Sequence, residues 1–186
     1  MEVIDETRRF AKERAEKYGV PSFPHTEYIA TKGVELARKL GADEKIVELG
    51  CYLIDIDLGK ALKQGKQEEH VNMGVETANT FLRKFDLSRA ERDKVLNCIA
   101  AHHGQMEHSC IESEIVKNAD NYKFLSPTGI VISLFYRPKE ITLKQEVDIL
   151  KQKLEEKHKL VTLAVCKREA EVNYKIIKRF LDAVID

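Results

Sequence analysis

The chain has 186 residues, of which 43% are hydrophobic and 33% are charged. This length suffices for one sizeable core and is too short for two ordinary domains, so we expect a single domain over residues 1–186. Lysine and arginine together number 31, as do aspartate and glutamate. A net charge of zero gives no electrostatic reason to expect a nucleic acid or an anionic membrane as a partner.

The sequence favours the cytoplasm as the location of the protein. No apolar run approaches the roughly 20 residues that a bilayer-spanning helix requires. The charged N-terminal segment lacks the apolar stretch of a signal peptide. The four cysteines form no CxxC pair, and Cys51, Cys98 and Cys166 lie in apolar helical stretches, as reduced core thiols do.

Apolar residues recur with helical spacing along almost the whole chain. The predicted helices cover about 2–17, 25–40, 43–57, 68–85, 88–103 and 112–124, with two more in the last third that meet near 157–159. The third is apolar nearly all round, which is typical of a central helix. A polar loop is expected over 59–69, a capping box at Ser88 and Glu91, and a helix or turn over 131–135. We therefore predict an all-α domain of about seven to nine helices.

Five residues with metal-binding side chains each lie on, or end, the apolar face of a different predicted helix. They are His25, Asp55, His70, His102 and Asp120. Each has an ordinary alternative: a helix cap, a buried hydrogen-bond acceptor, a half-exposed side chain or a complement to a helix dipole. A charge or imidazole inside a core is costly unless it is paired, hydrogen-bonded or bound to a metal. As a set, the five residues favour one shared metal site.

The order of these residues resembles that of the HD-domain superfamily of metal-dependent phosphohydrolases. In that family an early His is followed by a His-Asp pair, one or two further His and a late Asp. The matching segments are HTEY (25–28), LGCYLIDIDLGKA (49–61), EEHVNMGVETANTFL (68–82), VLNCIAAHHG (95–104) and ESEIVKNADNYKFL (112–125). The resemblance covers about residues 20–135, and we expect the C-terminal helices over 139–186 to pack on this region.

One position departs from the family pattern, because Ile54 stands where the His of the pair belongs. In two-metal members the Asp of the pair bridges both ions. The resemblance implies a first ion held by His25, Asp120 and the missing His. It implies a second ion held by His70 and His102, with His103 as an optional further ligand. Ile54 therefore damages the first site and leaves the second with Asp55, His70 and His102.

Neighbouring residues are poor replacements for the missing His. Asp57 lies two positions after Asp55, which on a helix directs it away. Cys51, one turn before Asp55, could approach the site, but we interpret it as a core thiol. The mixed His and carboxylate donors suit a divalent ion such as Fe, Mn, Co, Ni or Zn.

The resemblance implies hydrolysis of a phosphoester, on a nucleotide or a related small phosphorylated molecule. Asp55 would act with the metal, Lys60 would neutralise developing charge and His103 would serve as general acid. Lys60 could equally be a solvated loop lysine, and His103 a surface residue that complements a helix dipole.

A competing hypothesis is a non-catalytic HD-like protein that binds a metal or nucleotide and acts through a partner. The first C-terminal helix carries apolar residues at near-heptad spacing, which would suit a homodimer contact. They are Leu143, Val147, Leu150 and Leu154. Packing of this helix back onto the domain is the simpler expectation.

Overall fold

The computed structural model describes residues 2–104 and 106–184. These residues form ten α-helices and one 3₁₀ turn (Gln67–Glu69) with no strand, which confirms the all-α prediction. The helices are α1 Glu2–Tyr18, α2 Phe23–Leu40, α3 Glu44–Leu53, α4 Leu58–Lys63, α5 His70–Leu82, α6 Arg89–Ala101, α7 Ile111–Asn121, α8 Pro127–Phe135, α9 Leu143–Lys159 and α10 Ala164–Ala183. Within the described chain, no helix combines the length and apolar character that a membrane crossing requires. The chain divides into two compact units, which we call the first and the second unit; the boundary between them lies between Ala119 and Asp120.

Helix α3 is the central element of the first unit. It packs against α1, α2 and α6, while α5 packs against α6 and α4. The Asp43 carboxylate caps α3 by accepting a hydrogen bond of 3.2 Å from the Ile46 backbone N–H, and such a cap contributes about 1 kcal/mol. Ile46, Val47 and Leu49 have no exposed surface, as predicted for a helix that is apolar all round.

Helix α3 ends at Leu53, four residues before the predicted end at Asp57. Asp55 has a φ of +56°, a left-handed conformation that L-residues rarely adopt and that Asp and Asn tolerate best. The Leu58 backbone N–H donates to the Asp55 carbonyl at 2.9 Å, which closes the turn into α4. The prediction of a continuous helix was wrong, because every residue of this turn is buried and the apolar run continues across it.

Helix α4 lies in the stretch that was predicted to be a loop. Its six residues are too few to show a complete apolar stripe, so periodicity does not reveal it. A β-carbon at Gly59 would lie 2.4 Å from the Val20 carbonyl oxygen. Only glycine permits this close approach between α4 and the segment that joins α1 to α2.

Asp57 anchors the turn between α3 and α4 to two other helices. It has no exposed surface, and its Oδ2 accepts a hydrogen bond of 2.5 Å from the Thr77 hydroxyl on α5. Arg14 on α1 forms an ion pair with Oδ1 and donates from Nε to the Ile56 carbonyl at 3.3 Å. These contacts restrain the turn that carries Asp55.

In the second unit, α8, α9 and α10 enclose a separate apolar core. Its buried members are Leu125, Ile130, Val147, Leu150, Leu154, Ala170, Ile177 and Leu181. Three of the four near-heptad residues of α9 therefore lie inside this unit, and only Leu143 is exposed, at 45%. Residues 131–135 belong to helix α8.

We expect Asp57→Leu to lower the free energy of unfolding by about 3 kcal/mol, because Arg14 would keep a mostly buried guanidinium without its carboxylate. Denaturation by urea, followed by circular dichroism, measures this change. The double variant Arg14→Met/Asp57→Leu should recover at least half of the loss, since an apolar pair replaces a buried ion pair at little cost. A single variant as stable as the wild type would show that this ion pair does not anchor the turn.

Candidate metal centre

Four side chains of the first unit converge on one place: Asp55, His70, His102 and His103. Each offers a donor atom, and these atoms all lie within 4.8 Å of one another. Asp55 comes from the turn after α3, His70 begins α5, and His102 and His103 directly follow α6. The structure thus brings together three of the five residues singled out in the sequence, with His103, which the family resemblance gave as an optional further ligand.

The donor separations suit a single ion. Asp55 Oδ1 lies 3.3 Å from His102 Nε2 and 3.5 Å from His70 Nε2. His70 Nε2 lies 3.1 Å from His103 Nε2. Donors that each stand about 2.1 Å from one tetrahedral ion are separated by roughly 3.4 Å. The four side chains therefore need little movement to share an ion.

The second ring nitrogens of two histidines fix how the imidazoles are oriented. His70 Nδ1 lies 2.6 Å from the Gln67 carbonyl oxygen, and His102 Nδ1 lies 2.6 Å from that of Ile99. A carbonyl oxygen only accepts, so both Nδ1 atoms carry a proton and donate it. Each neutral ring then presents an unprotonated Nε2 on the side of Asp55, which is the form that binds a metal.

Charge within the cluster also favours a cation. A second proton, on Nε2, would let the charged His70 ring donate a hydrogen bond to Asp55; this raises the pKa of His70, and burial of the ring opposes the effect only in part. A proton and a divalent ion would therefore compete for His70 Nε2, beside the negatively charged Asp55 carboxylate.

The other two predicted ligands have contacts of their own. His25, in the first turn of α2, is 9% exposed, and its Nδ1 lies 3.1 Å from the Ser22 hydroxyl. Asp120, in the second unit, is 1% exposed and pairs with Lys157 at 2.8 Å and Lys123 at 3.0 Å. Two ammonium groups already neutralise this carboxylate. Metal binding by His25 and Asp120 stays a prediction.

Mostly apolar residues surround Ile54, at the position where the family resemblance places a histidine. Ile54 is 2% exposed and borders a cavity of only about 10 Å³, whose lining includes Ala11, Pro21 and Ile56. Cys51 is buried and lies outside the four-residue cluster. The side of the turn that holds Ile54 is therefore ordinary core.

Two lysines of the first unit bear on the site: Lys60 was predicted from the sequence to have a role, and Lys117 was not. Lys60 is half-buried on α4 and forms no ion pair with a carboxylate of residues 2–104 or 106–184, so its predicted role stays open to test. The Lys117 side chain on α7 is buried and lies beside Gly104. The sequence did not predict this burial, because a lysine in a highly charged helix is normally exposed to solvent. Its place one turn before Asp120 was the available signal.

Comparison with known proteins identifies the family and the fold. A family model of the HD domain matches residues 23–125, more than half of the chain. Ribonuclease Y from Finegoldia magna is 37% identical over 103 residues, which are 55% of this chain but 18% of that relative. The chain thus matches less than a fifth of the length of this curated relative.

Two solved structures share the fold at low sequence identity. A crystal structure of a predicted HD-superfamily hydrolase from an uncultured Thermotogales bacterium has a TM-score of 0.70 at 17% identity, over 96% of this chain and 88% of that one. Bacillus subtilis YpgQ in complex with ADP has a TM-score of 0.69 at 17% identity, over 96% of this chain and 91% of that one.

The left-handed backbone of Asp55 leads to a prediction for the metal-free protein. Asp55→Gly should be more stable than Asp55→Ala by about 1 kcal/mol, because glycine adopts a positive φ without a β-carbon clash. Both variants lose the same carboxylate, so their difference isolates the backbone effect. Urea unfolding of the two chelator-treated variants measures it, and an Asp55→Ala variant at least as stable as Asp55→Gly would argue against the left-handed turn.

Proposed function

This chain belongs to the HD-domain family, and we propose that it is a metal-dependent phosphohydrolase that acts on a phosphoester of a nucleotide or related small molecule. The observation that carries this function is the convergence of one carboxylate and three imidazoles within 4.8 Å. Such a donor set is costly to assemble without a cation, because a buried carboxylate and neutral imidazoles need partners for their lone pairs.

Asp55, His70, His102 and His103 would hold the ion, and this donor set suits Fe, Mn, Co, Ni or Zn. When bound, a divalent ion would lower the pKa of a coordinated water toward neutrality and polarise a phosphoryl oxygen. Asp55 and His102 are buried, whereas His70 and His103 are half-buried. The half-buried side leaves a route by which a substrate reaches the cluster.

The remaining roles follow from what each side chain can donate. A nitrogen that binds an ion cannot also deliver a proton, so the two predicted roles of His103 exclude each other at the same atom. The 3.1 Å distance between His103 Nε2 and His70 Nε2 favours the ligand role. Lys60 would neutralise charge that develops on the phosphoryl oxygens.

The class of phosphoester follows from charge and from the relatives. The YpgQ structure holds ADP, and the Finegoldia relative is a ribonuclease. A net charge of zero supplies no general attraction to a polyanion, so we favour a small nucleotide over RNA.

A binding function without catalysis is the second candidate, and Ile54 is the residue that favours it. A single ion supplies no clamp that holds attacking and leaving oxygens together, as two ions do. Metal binding with no turnover on any phosphoester would support this candidate.

We expect about one divalent ion per chain, held by the four-residue cluster. His70→Ala and His102→Ala should each weaken its binding by on the order of 100-fold or more, since each removes a direct ligand. Elemental analysis and competition with a chelating dye measure this. His158→Ala is the matched control, because His158 pairs with Glu171 in the second unit.

The same variants test the reaction. Nucleoside phosphates, a nucleotide phosphodiester and a short RNA, each with added manganese, form the panel. Turnover that is lost in His70→Ala and His102→Ala and kept in His158→Ala supports the phosphohydrolase. Full metal binding by either cluster variant would contradict the ligand assignment.

Ile54→His tests whether the family pair can be restored. In the metal-free protein we expect a loss of about 1–3 kcal/mol in the free energy of unfolding, because an imidazole replaces an aliphatic group in apolar surroundings. Metal should restore part of this stability and raise turnover. Ile54→Asn is the control, since it brings similar polarity but a poorer ligand. The family mapping would be contradicted if metal stabilised both variants equally.

A further inference from the structure

Helix α8 leaves one apolar face uncovered in the second unit. Its nine residues, PTGIVISLF, include no charged side chain. A helix that is apolar all round is typically buried on every face. Here Ile130 lies in the core of the second unit, whereas Val131 is 61% exposed and Phe135 is 78% exposed. Phe135 is the most exposed of the large hydrophobic side chains that the structure describes. The composition of α8 therefore suits surroundings in which its second face is covered too.

Helix α10 extends this exposed apolar face. Val172, Ile176 and Phe180 follow one another at intervals of four residues, so they share one side of the helix. Each of the three is about half exposed. Ile177 and Leu181, on another side of α10, lie in the core of the second unit. Helix α10 thus carries two apolar stripes, and only one of them is buried within the unit.

A groove of about 190 Å³ lies between α8 and α10. The residues that line it are all apolar: Pro127, Ile130, Val131, Ile176, Ile177 and Phe180. A cavity of about 150 Å³ accommodates a benzene ring, so the groove is large enough for one phenyl side chain. Phe135 follows Val131 by one helical turn and shares its side of α8. A projecting aromatic ring and a groove that fits such a ring therefore lie side by side.

We propose that the exposed sides of α8 and α10, which we call the α8–α10 face, form the interface of a homodimer in solution. A two-fold symmetric dimer uses the same patch on both copies, so the patch must be complementary to itself. The Phe135 ring of each copy inserts into the groove of the other copy, and the two contacts form together. This interface belongs to the second unit and does not depend on the proposed phosphohydrolase function.

The size of the α8–α10 face matches one side of a dimer interface. Six large side chains contribute exposed surface to it: Val131, Phe135, Tyr136, Val172, Ile176 and Phe180. Since a large side chain has on the order of 150–250 Å² of surface, their exposed fractions amount to roughly 700 Å². The largest apolar patch of a typical monomer is about 300–600 Å², and a stable interface buries about 800 Å² on each partner. The face therefore exceeds what a monomer ordinarily exposes and supplies most of what a dimer needs.

Charge favours a second copy of this chain over a strongly acidic or basic partner. The chain has a net charge of zero, so two copies do not repel each other as a whole. On α10, Lys175 pairs with Glu171 at 2.9 Å, and Asp182 pairs with Lys151 at 2.9 Å. Arg179 adds one exposed positive charge per copy, which physiological salt largely screens beyond about 8 Å. The surroundings of the groove thus carry too little charge to select a partner of opposite sign.

Analytical ultracentrifugation of the whole chain measures the proposed dimer. We expect the wild type to dimerise with a Kd in the micromolar range or tighter. Phe135→Ser should weaken dimerisation by roughly 100-fold or more, because a two-fold interface loses this anchor twice. Val131→Lys should have an effect of similar size, since it places a charge in the apolar interface of both copies. Both residues are exposed in the single chain, so circular dichroism should show an unchanged fold.

Two residues of α9 serve as comparisons. Ile149→Lys is the matched control, because Ile149 is 41% exposed on a helix outside the α8–α10 face, and this variant should dimerise as the wild type does. Leu143→Lys tests the different dimer contact that the near-heptad spacing of α9 suggested. Dimerisation lost in Leu143→Lys and kept in Phe135→Ser would overturn the α8–α10 interface. A wild type that stays monomeric at about 1 mM would overturn it as well and would assign the face to another occupant.

A mixture of two variants tests the reciprocal contact itself. Phe135→Ala removes the ring and keeps the groove, whereas Ile176→Arg fills the groove and keeps the ring. Each variant alone loses both contacts of the dimer. A mixed dimer keeps one contact, in which the Phe135 ring of one copy enters the unaltered groove of the other. The mixture should therefore associate roughly tenfold more tightly, or more, than either variant alone. Equal association of the mixture and of the separate variants would contradict reciprocal insertion.

Discussion

The first unit is organised around a carboxylate that the fold buries at the end of its most apolar helix. Asp55 is 6% exposed and stands in a left-handed conformation, so it combines the costs of desolvation and of backbone strain at one residue. Its carboxylate faces the imidazoles of His70 and His102. A buried charge and a strained backbone at the same residue are typical of a functional site. The surrounding structure there holds the residue in a conformation that is unfavourable by itself.

Two sets of contacts supply that surrounding structure, and they act on different parts of the cluster. The ion pair between Arg14 and Asp57 restrains the turn on the side of α1. On the other side, His70 and His102 each donate from Nδ1 to the carbonyl of the residue three positions earlier. This shared geometry lets short segments at helix ends orient both rings without help from distant residues. The cluster is therefore preorganised by local backbone and by one buried ion pair.

The sequence was most informative where a polar residue interrupts an apolar stripe. His70 and His102 could be singled out because each shares a helical face with core residues. The backbone at Asp55 could not be predicted, since a buried turn and a buried helix end have the same composition. Lys117 could not be found either, because burial of one lysine in a charged helix depends on tertiary packing. The near-heptad spacing on α9 fits a helix that packs within its own domain as well as one that packs against a second copy of the chain. Spacing alone therefore could not show that these residues lie in the core of the second unit.

The replacement of the family histidine by Ile54 has a local effect because the turn separates its two faces. Ile54 packs with Ala11 and neighbouring apolar groups, whereas Asp55 meets the histidines of α5 and of the segment after α6. Ile54 and Asp55 are adjacent in the chain but have different neighbours, so each side of the turn can change on its own. An aliphatic residue removes an ionisable group from one face and improves its packing there. The opposite face keeps its four donors, so the proposed centre for one ion does not depend on the residue at position 54.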